Sequence, residues 1–151
     1  MTVRIAGVGM TCFGKFLHRS ARDLADEAVR EAIADAVLDP QRVEAVFVAN
    51  AFAGTVHGQE SIRGQAWLSD GPLAGVPIIN IENACAGGGS ALALARSAVA
   101  AGDAETALAI GVEKMTHPDR SRSLRAMEGA LDQERLSDLR AALGLCANES
   151  P

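Results

Sequence analysis

The fold is decided by residues 76–101, VPIINIENACAGGGSALALARSAVAA. This stretch begins with an apolar run rich in isoleucine, passes through Cys85 and three consecutive glycines, and ends in a segment rich in alanine. Short apolar runs with β-branched residues are typical of buried strands, whereas alanine and leucine favour helices. The stretch therefore predicts a strand over 76–81, a sharp turn that carries Cys85, and a helix over 91–101 that Gly102 ends.

The rest of the chain extends this pattern in both directions. Short apolar runs predict further strands over 3–8, 43–49 and 105–112. Helical spacing predicts an amphipathic helix over 21–37, with Ser20 as its N-cap and Asp23 three residues later, and a shorter helix through Trp67. Strands that alternate with helices are typical of an α/β layered sheet. After Thr116 the chain becomes polar, and one or two helices are expected within 124–143, with no further strand.

The amino-acid composition argues against several classes of protein. The chain has 151 residues, of which 48% are hydrophobic, enough for one globular core. Its net charge of −5 argues against nucleic acid as a partner. No apolar run reaches membrane-spanning length, so we expect a soluble protein without membrane contact. Cys12, Cys85 and Cys146 form no Cys-x-x-Cys pair, which argues against a zinc site or disulfide framework and favours a reducing cytoplasm.

Cys85 is the candidate catalytic residue, because it lies between a predicted strand and a predicted helix. Unpaired backbone N–H groups and the positive end of a helix dipole stabilise a thiolate, which is the nucleophilic form of cysteine. The same N–H groups can hold an oxyanion. A buried structural cysteine is the alternative, and it is the commonest role of an intracellular cysteine.

Four segments of the chain resemble one protein family. Residues 81–95, IENACAGGGSALALA, resemble the nucleophile segment of the thiolase superfamily, in which an Asn-x-Cys-x-x-Gly turn presents an acyl-accepting cysteine. Three more segments are similar to thiolases in the same order: 4–16, RIAGVGMTCFGKF; 57–71, HGQESIRGQAWLSDG; and 107–117, ALAIGVEKMTH. Ketoacyl synthases are less similar, because their turn is usually rich in serine after the cysteine. The chain thus resembles the N-terminal half of a sterol-carrier-type or acetyl-CoA acetyltransferase-like thiolase.

The resemblance implies a fold and an activity. The implied fold is a thiolase-like layered α-β-α arrangement with a mixed, mostly parallel sheet over 1–116, followed by the start of a helical lid over 117–151. The implied activity is that of an acyl-CoA:acetyl-CoA C-acyltransferase of lipid metabolism, by thiolysis or Claisen condensation, with Cys85 as the catalytic nucleophile. Coenzyme A thioesters would be substrates, and no bound cofactor or metal is implied. A homodimer through 76–81 and 59–68 is expected.

The resemblance also indicates what the chain lacks. A thiolase subunit pairs two similar halves, and the second contributes a histidine in a Gly-His-Pro segment and a cysteine in a Cys-x-Gly-Gly segment. Neither segment has a match here, and His18, His57 and His117 lie outside such motifs. His117 is expected to be an exposed loop residue. The chain is therefore expected to be incomplete, and activity would need a C-terminal half or a partner chain.

A second functional hypothesis comes from another class of protein. The chain would then be a non-catalytic thiolase-like subunit for dimerisation or coenzyme A binding, with a small OB-fold or zinc-ribbon partner. The reading frame after Pro151 distinguishes the two hypotheses, because a second βαβαβ unit with the missing segments favours the enzyme.

Several polar residues near these motifs have two interpretations. Asn83 orients the Cys85 turn through its amide or caps the helix, and the cap is the commoner role. Gln59 and Arg63 either steady the nucleophile loop or a subunit interface, or lie on a solvated helix face. Glu113 and Met115 are expected to be wall or support residues rather than acid–base groups.

The remaining charged and thiol groups are weaker candidates. Arg120, Arg122 and Arg125 either approach a coenzyme A phosphate or form a solvated face, which is the commoner role of a run of charges. Cys12 and Cys146 are expected to be bystanders.

Overall fold

The computed structural model describes residues 2–144, so Cys146 lies outside the described residues. Single turns of 3₁₀ helix cover Pro40–Arg42, Ala84–Ala86 and Gln133–Arg135. The α-helices and strands, in chain order, are α1 Ala21–Asp35, β1 Ala45–Ala49, α2 Ala53–His57, α3 Arg63–Leu68, β2 Ile78–Ile81, α4 Gly87–Ala101, β3 Ala107–Gly111, α5 Arg120–Glu128 and α6 Leu136–Ala142.

The described strands form one parallel sheet. β1 is the central strand, with β2 on one side and β3 on the other. Ala49, the last residue of β1, is paired with Ile81 and Gly111, the last residues of β2 and β3. The carboxyl ends of all three strands therefore meet at one edge of the sheet, which is where ligands bind in open α/β folds.

Helices cover both faces of β1, whose side chains alternate between the two faces. On one face, a core cluster joins β1 to α1 and α3 and includes Ala25, Val29, Ile33, Val46, Val48 and Trp67. On the other face, Phe47 and Ala49 pack against Ala91 and Ala95 of α4. This arrangement confirms the predicted layered α-β-α fold, and burial on both faces explains why the β1 sequence is an unbroken apolar run.

The first helix begins where the sequence predicts. Ser20 Oγ accepts a hydrogen bond from the Asp23 N–H at 3.0 Å, and the Ser20 N–H donates to Asp23 Oδ2 at 2.8 Å. This capping box satisfies two backbone donors that the helix start would otherwise leave unpaired. The hydrogen bond from the Ser20 backbone is the largest cause that lowers the pKa of Asp23 below its ordinary value.

The strand predicted over 3–8 is wrong, because this segment lies outside the sheet. Its backbone is extended along α1 instead, where the Val8 N–H donates to Asp35 Oδ2 at 2.9 Å and the Met10 N–H donates to Glu31 Oε2 at 3.0 Å. A cavity of about 1340 Å³ lies between the segment and β3. Carboxylates of α1 therefore replace a neighbouring strand as acceptors, and within the described residues the outer edge of β3 has no strand beside it.

Other predicted elements exist with shifted boundaries. α4 begins at Gly87, four residues before the predicted start, and Gly102 ends it with φ 84°. The region predicted as a loop around Gly54 contains the short helix α2. Two helices, α5 and α6, lie in the polar C-terminal region, as the sequence predicts. Within residues 2–144, no helix combines the length and the apolar character needed to cross a membrane.

Candidate active site

Cys85 lies on a tight turn at the shared edge of the sheet. β2 ends at Ile81, one turn of 3₁₀ helix holds Cys85, and α4 starts at Gly87. Ala84 has φ 43°, in the left-handed region that residues with a Cβ rarely adopt. Such backbone strain is concentrated at functional sites, where the surrounding structure holds it in place. Cys85 itself is exposed to solvent, so the alternative of a buried structural cysteine is wrong.

Side chains on both sides brace this turn. The Asn83 amide donates from Nδ2 to Ser90 Oγ at 2.9 Å, and Glu82 Oε1 accepts the Ala84 N–H at 2.7 Å. Asn83 makes no side-chain cap hydrogen bond, so the preferred capping role is wrong and its amide spans the turn instead. The reason is that the 3₁₀ turn moves the helix start to Gly87, beyond the reach of a cap at residue 83.

The turn rests on the ends of the two neighbouring strands. A Cβ placed on Gly87 would lie 3.2 Å from Ala49 Cβ at the end of β1. A Cβ placed on Gly111, at the end of β3, would lie 4.0 Å from the Gly88 Cα. The first glycines of α4 thus let the helix start lie directly over the sheet edge, and this close approach fixes the height of Cys85 above it.

A polar cluster joins the same strand ends through Glu113, which was expected to be a wall or support residue, and Asn50, which the sequence reasoning missed. Asn50 follows β1 directly and is, within residues 2–144, the one buried polar side chain, with 7% exposure. Its Nδ2 donates to the Val112 carbonyl at 2.6 Å and to Glu113 Oε1 at 3.1 Å. Glu113 Oε2 also accepts the Ala51 N–H at 2.9 Å. An asparagine immediately after a buried strand was the available sequence signal for this cluster.

Arg63 holds the loop after β1 from the opposite side. Its Nη1 donates to the Asn50 carbonyl at 3.0 Å, and its Nε donates to the Gln59 carbonyl at 3.0 Å. Arg63 is half-buried and binds backbone carbonyls, so the solvated-face alternative is wrong for this residue. The loop that it steadies is the one after β1, whereas the predicted loop was the one that carries Cys85. The Gln59 side chain makes only a local hydrogen bond to the Ser61 carbonyl.

The cavity beside β3 reaches this site. Cys85, Phe52 and Met115 line the cavity together with the N-terminal loop that contains Cys12, so Met115 is a wall residue as predicted. The cavity is mainly apolar, and α1 and α4 form its other walls. Its charged lining residues are Arg4, Arg96, Glu105, Glu113 and Lys114. An exposed thiol in the lining of an apolar cavity is suited to accept a group from a partly apolar substrate.

Comparison with known proteins decides the family. Residues 3–148 match the family described as "Thiolase, N-terminal domain". The chain belongs to the thiolase family. Human sterol carrier protein 2 is 39% identical over 117 residues, which cover 76% of this chain and 20% of that protein. An acetyl-CoA acetyltransferase of Methanocaldococcus jannaschii is 39% identical over 132 residues, which cover 87% of this chain and 33% of that protein.

A solved structure shows the same fold. The 3-oxoacyl-[acyl-carrier-protein] synthase III of Aquifex aeolicus superposes with a TM-score of 0.57 at 26% identity, covering 65% of this chain and 31% of that one. The thiolase-family chain therefore spans about a fifth to a third of the length of these relatives. The resemblance noted from the four segments is confirmed at the level of the family and the fold.

In this thiolase-family chain, the rings of His57 and His117 lie next to each other. His57 Nε2 lies 2.7 Å from the Lys114 carbonyl, so this nitrogen carries the proton. The His57 and His117 ring centroids are 5.8 Å apart, and His117 Nδ1 accepts the Asp119 N–H at 3.0 Å. His117 is half-buried, so its expected exposure is wrong. Neither ring lines the cavity, and their contacts join α2 to the start of α5.

The arginines of α5 also serve local structure. Arg122 Nη1 donates to the Val56 carbonyl at 3.3 Å, which holds α5 against α2. Asp119 caps α5, and the hydrogen bonds from Ser121 lower the pKa of this carboxyl below its ordinary value. Arg120 and Arg125 are exposed, as expected of a solvated face.

Proposed function

We propose that this chain provides the nucleophile half of an acyl-CoA:acetyl-CoA C-acyltransferase. The Cys85 thiolate attacks the carbonyl carbon of an acyl-CoA, a new carbon–sulfur bond forms, and the bond to the coenzyme A sulfur breaks. Coenzyme A leaves as its thiolate, and the acyl group remains on Cys85. The observation that carries this proposal is the exposed Cys85 on a strained turn at the common end of three parallel strands.

The acyl-cysteine would then follow one of two routes. In condensation, the carbanion of acetyl-CoA attacks the acyl carbon and Cys85 leaves as a thiolate. Thiolysis is the reverse reaction: Cys85 attacks the 3-keto carbon of a 3-ketoacyl-CoA, the bond between carbons 2 and 3 breaks, and acetyl-CoA leaves as a carbanion that takes up a proton. The thiolate of free coenzyme A then attacks the acyl carbon, forms a second acyl-CoA and releases the Cys85 thiolate. Covalent catalysis of this kind divides one difficult step into two easier ones. One relative, 39% identical to this chain, is named acetyl-CoA acetyltransferase, which supports the proposal of an acyltransferase.

A second half is part of the proposal, and two exposed surfaces support it. The outer edge of β3 faces the apolar cavity, and an edge of unpaired N–H and C=O groups is a ready template for another strand. α4 is apolar around most of its circumference, and Leu92 and Leu94 on its outer face are 51% and 46% exposed. A helix that is apolar all round is typical of a protein interior. We therefore propose that a C-terminal half covers both surfaces.

The expected homodimer is a further proposal. β2 is the other edge strand of the described sheet, and Ile79 on it is 48% exposed. An isologous dimer would pair this edge with its own copy and bury the neighbouring 59–68 region. Light scattering at micromolar concentration should give a mass twice that of the chain, and a clean monomer would contradict the dimer.

The function is tested by a half-reaction that needs no carbanion. The chain is mixed with acetyl-CoA and isotopically labelled coenzyme A, and the label that enters acetyl-CoA is measured. We expect slow exchange that is lost in Cys85→Ser, because exchange needs only the nucleophile and part of an oxyanion hole. Exchange at the rate of the buffer alone, with the protein folded, would refute the acyltransferase and favour the non-catalytic subunit.

The complete thiolytic reaction, unlike the exchange half-reaction, is not expected to be measurable with this chain alone. Cleavage of acetoacetyl-CoA by the 151-residue chain alone should lie below detection, because missing general acid–base help costs about 10²–10⁴-fold. An incomplete oxyanion hole costs about another 10²–10³-fold. Robust cleavage that disappears in Cys85→Ser would contradict this expectation, and His57 and His117 would then have to be tested as the base.

A further inference from the structure

We propose that Asn50 and Glu113 are a positioning pair for Cys85, an inference that rests on the proposed role of Cys85 as nucleophile. The two residues follow the central and outer strands, β1 and β3, and neither is near Cys85 in sequence. Together they form a clasp, defined here as the Asn50 side chain, the Glu113 carboxylate and the backbone N–H groups that they bind.

The clasp adds a side-chain hydrogen bond after the last backbone hydrogen bond between the ends of β1 and β3. The Val112 N–H donates to the Ala49 carbonyl at 3.0 Å, and the next link is the Asn50 amide, which donates to the Val112 carbonyl at 2.6 Å. Asn50 Oδ1 also accepts the Ala53 N–H at 3.0 Å. Since Asn50 is buried, each of these polar atoms would be costly to leave unpaired, which makes the arrangement specific.

Glu113 completes the clasp with a charge. Its two carboxylate oxygens accept the Ala51 N–H at 2.9 Å, the Phe52 N–H at 3.3 Å and the Asn50 amide at 3.1 Å. Hydrogen bonds to an ionised acceptor are about twice as strong as neutral ones. The Arg63 guanidinium binds the carbonyls of the same loop, so the loop is held from both sides.

The clasp reaches Cys85 through two contacts at its base. Ala49, which packs against Gly87 at the start of α4, immediately precedes Asn50. Gly111, which lies against Gly88, is two residues before Glu113. The helix start that carries Cys85 therefore rests on the two strand ends that the clasp joins. If the clasp opens, the separation of these ends is no longer set, and the turn above them shifts.

A purely structural role would act differently from a positioning role. A less stable variant that is still folded keeps the surroundings of both exposed thiols, Cys12 and Cys85, so their relative rates stay the same. Loss of position changes the rate of Cys85 relative to that of Cys12. Cys12, an exposed thiol in the same chain, is therefore the internal reference. The ratio of the Cys85 rate to the Cys12 rate measures position and is insensitive to protein concentration or reagent strength.

The test compares Glu113→Gln with wild type using two reagents, iodoacetamide and acetyl-CoA, followed by peptide mapping. The substitution replaces one carboxylate acceptor with an amide donor that faces other donors, so the clasp opens. We expect the Cys85:Cys12 alkylation ratio to fall about threefold and the acetylation ratio about tenfold, since a misplacement of about 1 Å costs up to about 10²-fold in an oriented reaction. Glu113→Asp keeps the charge on a shorter side chain, so its two ratios should lie between those of wild type and those of Glu113→Gln.

Two controls separate position from charge and from stability. Asp103→Asn removes one exposed carboxylate just after the end of α4 and should leave both ratios unchanged. Leu73→Ala removes a side chain that is 1% exposed in the core cluster on the α1 face of the sheet and that is not part of the clasp, so it should lower the melting temperature while both ratios stay the same.

The outcomes are distinct. Unchanged ratios in folded Glu113→Gln and Glu113→Asp would overturn the positioning pair, as would an equal fall in either control. If Glu113→Gln does not fold, the Glu113→Asp ratios decide the question. A wild-type Cys85 that is never acetylated would refute the proposed function, and the alkylation ratio would still decide whether the clasp positions this thiol.

Discussion

Replacing Gly64 with alanine tests the packing that carries β2 toward Cys85. Gly64 is the second residue of α3 and is buried against the sheet. A Cβ at this position would lie 2.6 Å from Ile78 Cγ2 and 2.8 Å from Val48 Cγ2. Both contacts are far below van der Waals separation, and Val48 is only 1% exposed, so the neighbouring side chains have little room to move.

Two opposing effects determine the magnitude. Overpacking of a tight core costs about 1–3 kcal/mol. Alanine is preferred to glycine in a helix by about 0.5–1 kcal/mol, which offsets part of this cost. We therefore expect Gly64→Ala to lower the free energy of unfolding by about 1–2 kcal/mol. A change of about 1 kcal/mol moves the melting temperature of a domain of this size by about 2–4 °C, so the melting temperature should fall by about 2–8 °C.

The measurement is thermal and urea unfolding followed by circular dichroism. Gly88→Ala is the matched control, because it also places alanine near a helix start but no heavy atom lies within 4 Å of its Cβ. This control should melt at or slightly above the wild-type temperature. A Gly64→Ala protein as stable as wild type would refute the close packing of α3 on β1 and β2.

Further predictions concern the N-terminal segment and pH. In Gly7→Ala, the new Cβ would lie 2.4 Å from the Ala32 carbonyl oxygen of α1, so the segment must leave the helix, and hydrogen exchange at Val8 and Met10 should accelerate while α4 is unaffected. Because the pKa of Asp23 is lowered from 3.8 in the folded state, its stabilising contribution is present above that pH and is lost as the pH falls through the lower value. The stability difference between wild type and Asp23→Asn, measured by urea unfolding, should therefore stay constant from about pH 7 to about pH 5 and shrink as the pH falls below about 4, and a difference that does not shrink there would contradict the capping box.

Local features of this protein are predictable from its sequence. The start of α1 follows from Ser20 and Asp23, which lie within one helical turn of each other, and the Cys85 turn follows from the change from isoleucine to glycine and alanine. Signals of this kind need no distant partner, so sequence reasoning finds them. The location of Cys85 on a strand-to-helix turn was predicted in the same way.

Features that depend on distant residues were missed. The 3–8 segment has the composition of a strand, but a strand forms only where another strand accepts its backbone hydrogen bonds, and here α1 carboxylates accept them. The clasp forms only because β1 pairs in parallel with β3. This pairing brings together Asn50 and Val112, which are hydrogen-bonded although they are 62 residues apart in the sequence. The early start of α4 was missed because glycine disfavours helices, although glycine is what the close approach to Ala49 requires.

The most direct test of the central claim is to locate the acetyl group after the chain is incubated with acetyl-CoA near neutral pH. The protein is digested, and the peptides that carry Cys12, Cys85 and Cys146 are quantified by mass spectrometry, with Cys85→Ser as the control. The proposed nucleophile predicts acetylation of the Cys85 peptide first and by far the most, and no acetylated peptide at that position in Cys85→Ser. Faster acetylation of Cys12 or Cys146 than of Cys85 in the folded protein would contradict it.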